Sequence, residues 1–247
     1  MQKTLYIIRG EHTDELLDDI AMKEASACYD LHLNIVGAIA RKTGCSAYFS
    51  DGQKQEEAKL FNSLLNAAAL SPSVAEELMS IMQNCAGEVK GSEDAVKDFQ
   101  LFLQLRREGI PIKFMPTEGK IDHFEILKSA TLEGKLPLRD YVSSRLLVNQ
   151  GGDPDLLILS NKVGPFLNDY RDRCVFENVR DFAEQTNILF MGRDHALKDF
   201  ADRPHPFAIH EMEIYYDSGV HIRGNVPSFC KPLLEASEGV EQRVAYF

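Results

Sequence analysis

Apolar positions along the 247-residue chain alternate between two rhythms. Short β-branched or aromatic runs read as buried strands, and longer stretches with apolar residues three and four apart read as amphipathic helices. Residues 4–8 (TLYII) are the first strand. After His12 the spacing turns helical through Leu16, Leu17, Ile20 and Met22 as far as Ile39, with Thr13 or Asp14 as cap and Glu15 in the first turn. KTG at 42–44 closes that helix, and residues 45–49 form a second strand stopped by SDG at 50–52. Residues 53–107 hold no strand; their spacing is helical in three pieces, 56–70, 74–82 and 94–107. IPIKFM at 110–115 is a third strand, and 121–133 and 138–148 are helices.

Residues 153–165 carry two signals. LLILS is strand-like, but the preceding DPD is a good helix start, because proline is tolerated in a first turn; helix is the preferred reading. Residues 168–184 are helical, with Tyr170, Cys174, Val179 and Phe182 near one face. Residues 187–191 are the fourth strand, and 196–201 begin another helix. Residues 207–216 alternate from Glu211 onward, and Ser218-Gly219 could supply the two-residue turn of a hairpin.

Helices alternating with buried strands imply an α/β fold: a mostly parallel central sheet covered by helices on both faces, with a C-terminal antiparallel hairpin at its edge. No repeat, low-complexity tract or linker divides the chain. The expected organisation is one domain over 1–247, with 53–107 as a helical excursion.

In open α/β sheets, ligands bind beyond the carboxyl ends of the strands. Four such ends carry chemistry here: Glu11 and His12, Asp51, Glu118, and Asp194 and His195. The first and last share one design, an apolar run, a glycine turn, then an acid directly before a histidine (RGEH at 9–12, GRDH at 192–195). If the four strands are neighbours, these residues crowd around one crevice. Neutral histidines with an acid suit a divalent transition metal that lowers the pKa of bound water to ~7. The same set also suits a histidine that takes a proton from water, its tautomer fixed by a carboxylate. The spacing does not choose between them, because HExxH, HxH and paired cysteines are absent. Glu or Asp with two histidines favours Mn, Co, Fe or Zn over Ca.

Each of these residues also has a plainer reading. A histidine beside an acid at a strand end is commonly a helix cap, and Asp51 and Glu118 lie in turns beside glycine. His32, His123, His205, His210 and His221 read as structural or solvated. Arg171-Asp172-Arg173 reads as surface charge, except that Arg171 follows Tyr170 on the apolar side, from where a guanidinium can hold a carboxylate or an oxyanion.

Composition narrows the partners. A formal charge of −11 argues against nucleic acid, which needs a basic face, and against anionic lipid. A small-molecule or peptide substrate suits it better. The five cysteines (Cys28, Cys45, Cys85, Cys174, Cys230) are scattered and odd in number, and read as free buried thiols in a reducing compartment. With no signal-peptide pattern and no apolar stretch of ~18 residues, the expectation is a cytoplasmic protein. Its oligomeric state is not legible.

The ordered pieces YIIRGEHTDE (6–15), YRDRCVFENV (170–179) and ILFMGRDHALKDF (188–200) together resemble the superfamily that joins erythromycin-esterase-like hydrolases, ChaN-like haem-binding proteins, TraB proteins and the TIKI metalloproteases. The resemblance implies that His12 and His195 are paired site histidines, Glu11 the first acid, Arg171 the site arginine and Glu118 the acid after the third strand. RGEH departs from the family pattern, in that either the residue expected between Glu11 and His12 is missing or Arg9 stands where a glycine would, and YFSDG ends the second strand where relatives often carry glutamate. The expectation is a hydrolase in which Glu11 and Glu118 hold a divalent ion or orient a histidine and Arg171 steadies developing negative charge. The alternative implied is a haem- or small-ligand-binding protein, for which Tyr215, Tyr216 and His221 are the axial-ligand candidates. Phosphoglycerate-mutase-like phosphatases are excluded, since they need Arg-His-Gly after the first strand and the order here is Arg-Gly-Glu-His.

Overall fold

A computed structural model describes residues 2–10, 19–86, 93–118, 122–192, 195 and 197–236. Strand β1 (Lys3–Gly10) leads to helix α1 (Asp19–Thr43), which ends where Gly44 takes a positive φ of 66° and its N–H returns to the Ala40 carbonyl at 2.9 Å. Strand β2 (Ala47–Ser50) is followed by α2 (Gln55–Leu70), α3 (Pro72–Ala86) and α4 (Glu93–Arg107), so the three helical pieces read from 53–107 are present as such. Strand β3 (Lys113–Met115) is shorter than the run IPIKFM suggests. Pro111 has no N–H to give a ladder, so pairing starts only beyond it.

Helices α5 (His123–Leu132) and α6 (Leu138–Asn149) come next. Asp122 caps α5, accepting from the N–H groups of Phe124 and Glu125 at 3.1 Å each. The ambiguous stretch is a 3-10 helix, Pro154–Leu159, rather than a strand, and after a turn α7 (Gly164–Phe182) starts with Pro165 in its first turn. Strand β4 (Thr186–Gly192), α8 (Lys198–Asp202), strands β5 (Phe207–Tyr216) and β6 (Val220–Gly224), a 3-10 turn at Ser228–Cys230 and α9 (Lys231–Ala236) complete the order.

The six strands lie in the order β3-β2-β4-β1-β5-β6. All neighbours are parallel except β5 and β6. The fold is therefore the expected α/β arrangement. Because β5 is parallel to β1, only β6 runs against the rest. The hairpin turn differs from expectation: Tyr216 pairs with Val220, leaving three residues in the loop, and Ser218 takes φ +58°.

Alternation along the strands divides the core by face. Tyr6, Ile8, Tyr48, Phe114, Ile188 and Phe190 pack against α1, α2 and α4. Leu5, Ile7, Ala47, Phe49, Leu189 and Met191 pack against Val175, Phe176 and Val179 of α7 and Phe200 of α8. Connections from β1 and β2 thus run over one face and those ending in α7 and α8 over the other. β4 lies where the two sets meet, with its carboxyl end between those of β2 and β1. A third, smaller cluster (Leu127, Ala130, Leu136, Leu157, Val163, Leu167) holds α5, the 3-10 helix and the start of α7 together.

No disulfide forms; all five cysteines are free, with Cys28, Cys45 and Cys230 buried and Cys85 exposed, unlike the expectation of uniformly buried thiols. Among the described residues no helix is long and apolar enough to cross a membrane.

Candidate functional site

Parallel register brings the carboxyl ends of four strands into one row. Gly10 lies opposite Gly192, and Ser50 opposite Phe190. The Asp51 N–H continues that ladder to the Phe190 carbonyl at 3.0 Å, so Asp51 leaves β2 beside the end of β4. β3 is tied to the same place through Thr117, which is wholly buried. Its hydroxyl donates to the Ser50 carbonyl at 2.5 Å and accepts from the Gln53 N–H at 3.0 Å. Its own carbonyl accepts from the Asn178 side chain of α7 at 2.9 Å. Thr117 and Asn178 thereby fix the loop bearing Glu118 against both β2 and α7.

Helix α7 supplies the remaining groups. Val175, Phe176 and Val179 bury its inner face, and positions three and four residues earlier on a helix share that face. Arg171 and Asp172 therefore project over the strand ends rather than into solvent. Arg171 Nε donates to Glu118 Oε1 at 2.8 Å, and its Nη2 lies 2.7 Å from the same oxygen and 3.5 Å from Asp51 Oδ1. The other Asp51 oxygen, Oδ2, is 2.9 Å from His195 Nε2. His195 Nδ1 is hydrogen-bonded to Asp172. Arg9, near the end of β1, donates from Nη2 to the His195 carbonyl at 2.8 Å and from Nη1 to Glu211 at 3.4 Å, which ties the backbone of the histidine to β1 and β5.

The result is a chain of alternating charge, Glu118–Arg171–Asp51–His195–Asp172, with each side chain between 9% and 21% exposed. Burial by itself pushes the His195 imidazolium towards deprotonation. The hydrogen bonds and charges of Asp172 and Asp51 overcome this and hold its pKa up at about 9, above the ordinary 6.5. At neutral pH both ring nitrogens therefore carry protons, each directed at a carboxylate. Such a ring is poised to give a proton away; it can accept one only after losing the first.

Of the residues expected at the site, Asp51, Glu118, Arg171 and His195 converge. Glu11, His12 and Asp194 lie outside the described residues, as do Thr13 and Asp14. Thr117 and Asn178 were not named from sequence, Asp172 was read as surface charge, and Arg9 only as a departure from the family pattern. Asp172 had a signal, since it stands three residues before Val175 and four before Phe176. Among the described residues no three His, Cys, Asp or Glu side chains are grouped so as to hold a metal ion. His195 turns both nitrogens towards carboxylates, so the described part of the expected ligand set does not form a metal site on its own.

Among the described residues, His32, His205 and His221 are engaged in structure. His32 stacks on Phe190 with centroids 3.9 Å apart and meets the Tyr48 hydroxyl at 3.3 Å. His205 bridges the Phe200 carbonyl and the Phe207 N–H. His221 stacks on Tyr215, and its Nε2 is 2.6 Å from the Asp217 carbonyl. The thiols of Cys45 and Cys230 are poor nucleophiles, because burial raises Cys45 to about 12 and Cys230 to about 11. Compared with known families, curated proteins and solved structures, the chain matches no family model, no curated protein and no solved structure.

Proposed function

We propose that the chain is a hydrolase of a small molecule or peptide, working at the carboxyl ends of β1–β4. The observation that carries this reading is the His195 ring clasped between Asp51 and Asp172. In the proposed reaction a water attacks the electrophilic carbon of the substrate and passes its proton to Asp51. The His195 imidazolium gives its Nε2 proton to the leaving group, and the proton on Asp51 then returns to the ring. Asp172 keeps the ring in orientation at Nδ1 throughout. Arg171, held by Glu118, offsets the negative charge that develops as the tetrahedral centre forms. His12, two residues beyond the Gly10 that pairs with Gly192, is the second imidazole of this reading, with Glu11 beside it. The resemblance to erythromycin-esterase-like and TIKI-type proteins supports the same class of chemistry.

The metal-dependent form of the reading (Mn, Co, Fe or Zn) draws on Glu11 and His12 in addition to His195 and Glu118. No step above is routed through an ion.

The test is a panel of carboxylic esters, phosphoesters and peptides assayed with the wild type and with His195→Gln, before and after dialysis against EDTA. Hydrolysis by the wild type that falls ~10²–10⁴-fold in the folded variant is the expected result. Full activity in His195→Gln overturns the proposal. Loss on dialysis with recovery on adding one of the four metals assigns the metal-dependent form.

A further inference from the structure

Among the described residues, two that are not glycine take a positive φ, Ser218 and Leu197. Ser218 lies in the loop of the β5–β6 hairpin, an ordinary place for such a turn. Leu197 is another matter. With φ 48° and ψ 26°, it puts a large apolar side chain in the left-handed region that glycine, asparagine and aspartate occupy. It also stands at the cap position of α8, where a side-chain oxygen would satisfy a free helical N–H and leucine satisfies none. Both local preferences therefore oppose leucine here. A backbone of this kind persists when its surroundings over-determine it, and such residues gather beside functional sites.

The surroundings act from two sides. Towards the core, Leu197 is 7% exposed and belongs to the cluster that includes Val175, Phe176 and Phe200. Its carbonyl accepts from the Phe200 N–H at 3.1 Å, and the Phe200 ring meets that of Phe176 edge-on at 5.1 Å. Phe176 lies one helical turn beyond Asp172 on α7. Towards the site, a single residue separates Leu197 from His195, whose ring is bonded to Asp172. The histidine and its carboxylate thus extend from one apolar joint between α7 and α8. We infer that Leu197 is a positioning residue: its buried side chain holds the left-handed turn that carries His195 to Asp51 and Asp172. Arg9 fixes the same backbone from the other side, donating to the His195 carbonyl at 2.8 Å. An apolar anchor suits this task, because it adds no charge and no competing hydrogen bond beside a ring that two carboxylates already hold. The inference rests on the reading of His195 as the working group of the site.

NMR titration of the His195 ring needs no substrate, so it decides the inference independently of any hydrolysis. Three variants are compared with the wild type. Leu197→Asn suits the left-handed turn but lacks the apolar anchor, and Leu197→Met keeps an apolar side chain of similar volume. Phe207→Ala is a control in the same cluster, at the start of β5 and so at the far end of the sheet from the site. The expected result is a midpoint that moves from about 9 towards 6.5 in Leu197→Asn and stays in place in Leu197→Met. It also stays in place in Phe207→Ala, although that variant has a lower Tm. On a substrate that the wild type hydrolyses, kcat falls ~10–10²-fold in Leu197→Asn with KM unchanged. A wild type that hydrolyses nothing counts against the proposed function, while the titration still decides the role of Leu197. A midpoint unchanged in Leu197→Asn overturns the inference. So does one that moves equally in Phe207→Ala, since the core as a whole would then be responding. Leu197→Gly is a second variant without the anchor should the first not fold. Failure of both to fold also overturns the inference, because the leucine would then hold the domain and not the ring.

Discussion

A histidine between two aspartates couples the site to stability. The His195 ring gains its proton more readily in the folded chain, with a pKa of about 9 against 6.5 for an ordinary imidazole. A raised pKa adds stability that is fully present below pH 6.5 and is lost as pH rises through about 9. A difference of this size corresponds to about 3 kcal/mol. Urea unfolding of the wild type between pH 6.5 and 9 should show stability falling by that order, and the fall should vanish in His195→Gln. An unchanged pH dependence in the variant would place the titration elsewhere. In Asp172→Asn one of the two groups that hold the proton is neutralised while burial still opposes it. The ring resonance, followed by NMR, should then titrate nearer to 6.5.

At the scale of elements, the strands and helices were largely legible because their periods differ and their ends are marked. Gly44 and Ser50–Gly52 punctuate where the sequence says they should, and Asp122 caps α5 one residue inside the helix read over 121–133. The site was legible only in part. Asp51, Glu118 and His195 each end a strand, a position that topology alone nominates. Arg171 was visible through its place on the apolar side of α7, and the same helical arithmetic nominates Asp172, obscured because it sits inside a run of charge. Thr117 and Asn178 carry no sequence signal, since their role is to hold backbone across chain segments that only the fold brings together. Asn178→Ala should therefore loosen the Glu118 loop and raise its amide exchange while leaving the β4 amides protected. The short β6 edge shows the opposite case, a residue fixed by its backbone. Gly224 has φ +101°, and a Cβ there would lie 2.5 Å from the Glu211 carbonyl. Gly224→Ala should lower stability by about 1–3 kcal/mol, measured by thermal or urea unfolding.

Over the whole molecule, two large clusters clamp the sheet and a third, smaller one holds the α5–α6 region. Phe102 is fully buried and its ring meets those of Tyr48 and Phe114 at 4.9 and 4.5 Å. Phe102→Ala should cost about 3–5 kcal/mol. Native-state hydrogen exchange should rank β1 and β4, buried on both faces, as the slowest amides, and α6 among the fastest helices. Equal protection of α6 and β4 would contradict this division of the core.

The placement of β1 has a consequence for biosynthesis. Its two neighbours, β4 and β5, begin at Thr186 and Phe207, so Ile7 must wait for Leu189 on one side and Glu211 on the other. A nascent chain that has left the ribosome only as far as Phe182 carries the core run of β1, residues 5–8, with both hydrogen-bonding edges open. Contacts this distant along the chain slow folding and lengthen exposure to aggregation. The sheet closes only late in translation, and until then the protein depends on its helices, or on a chaperone, to keep that strand from pairing with a stranger.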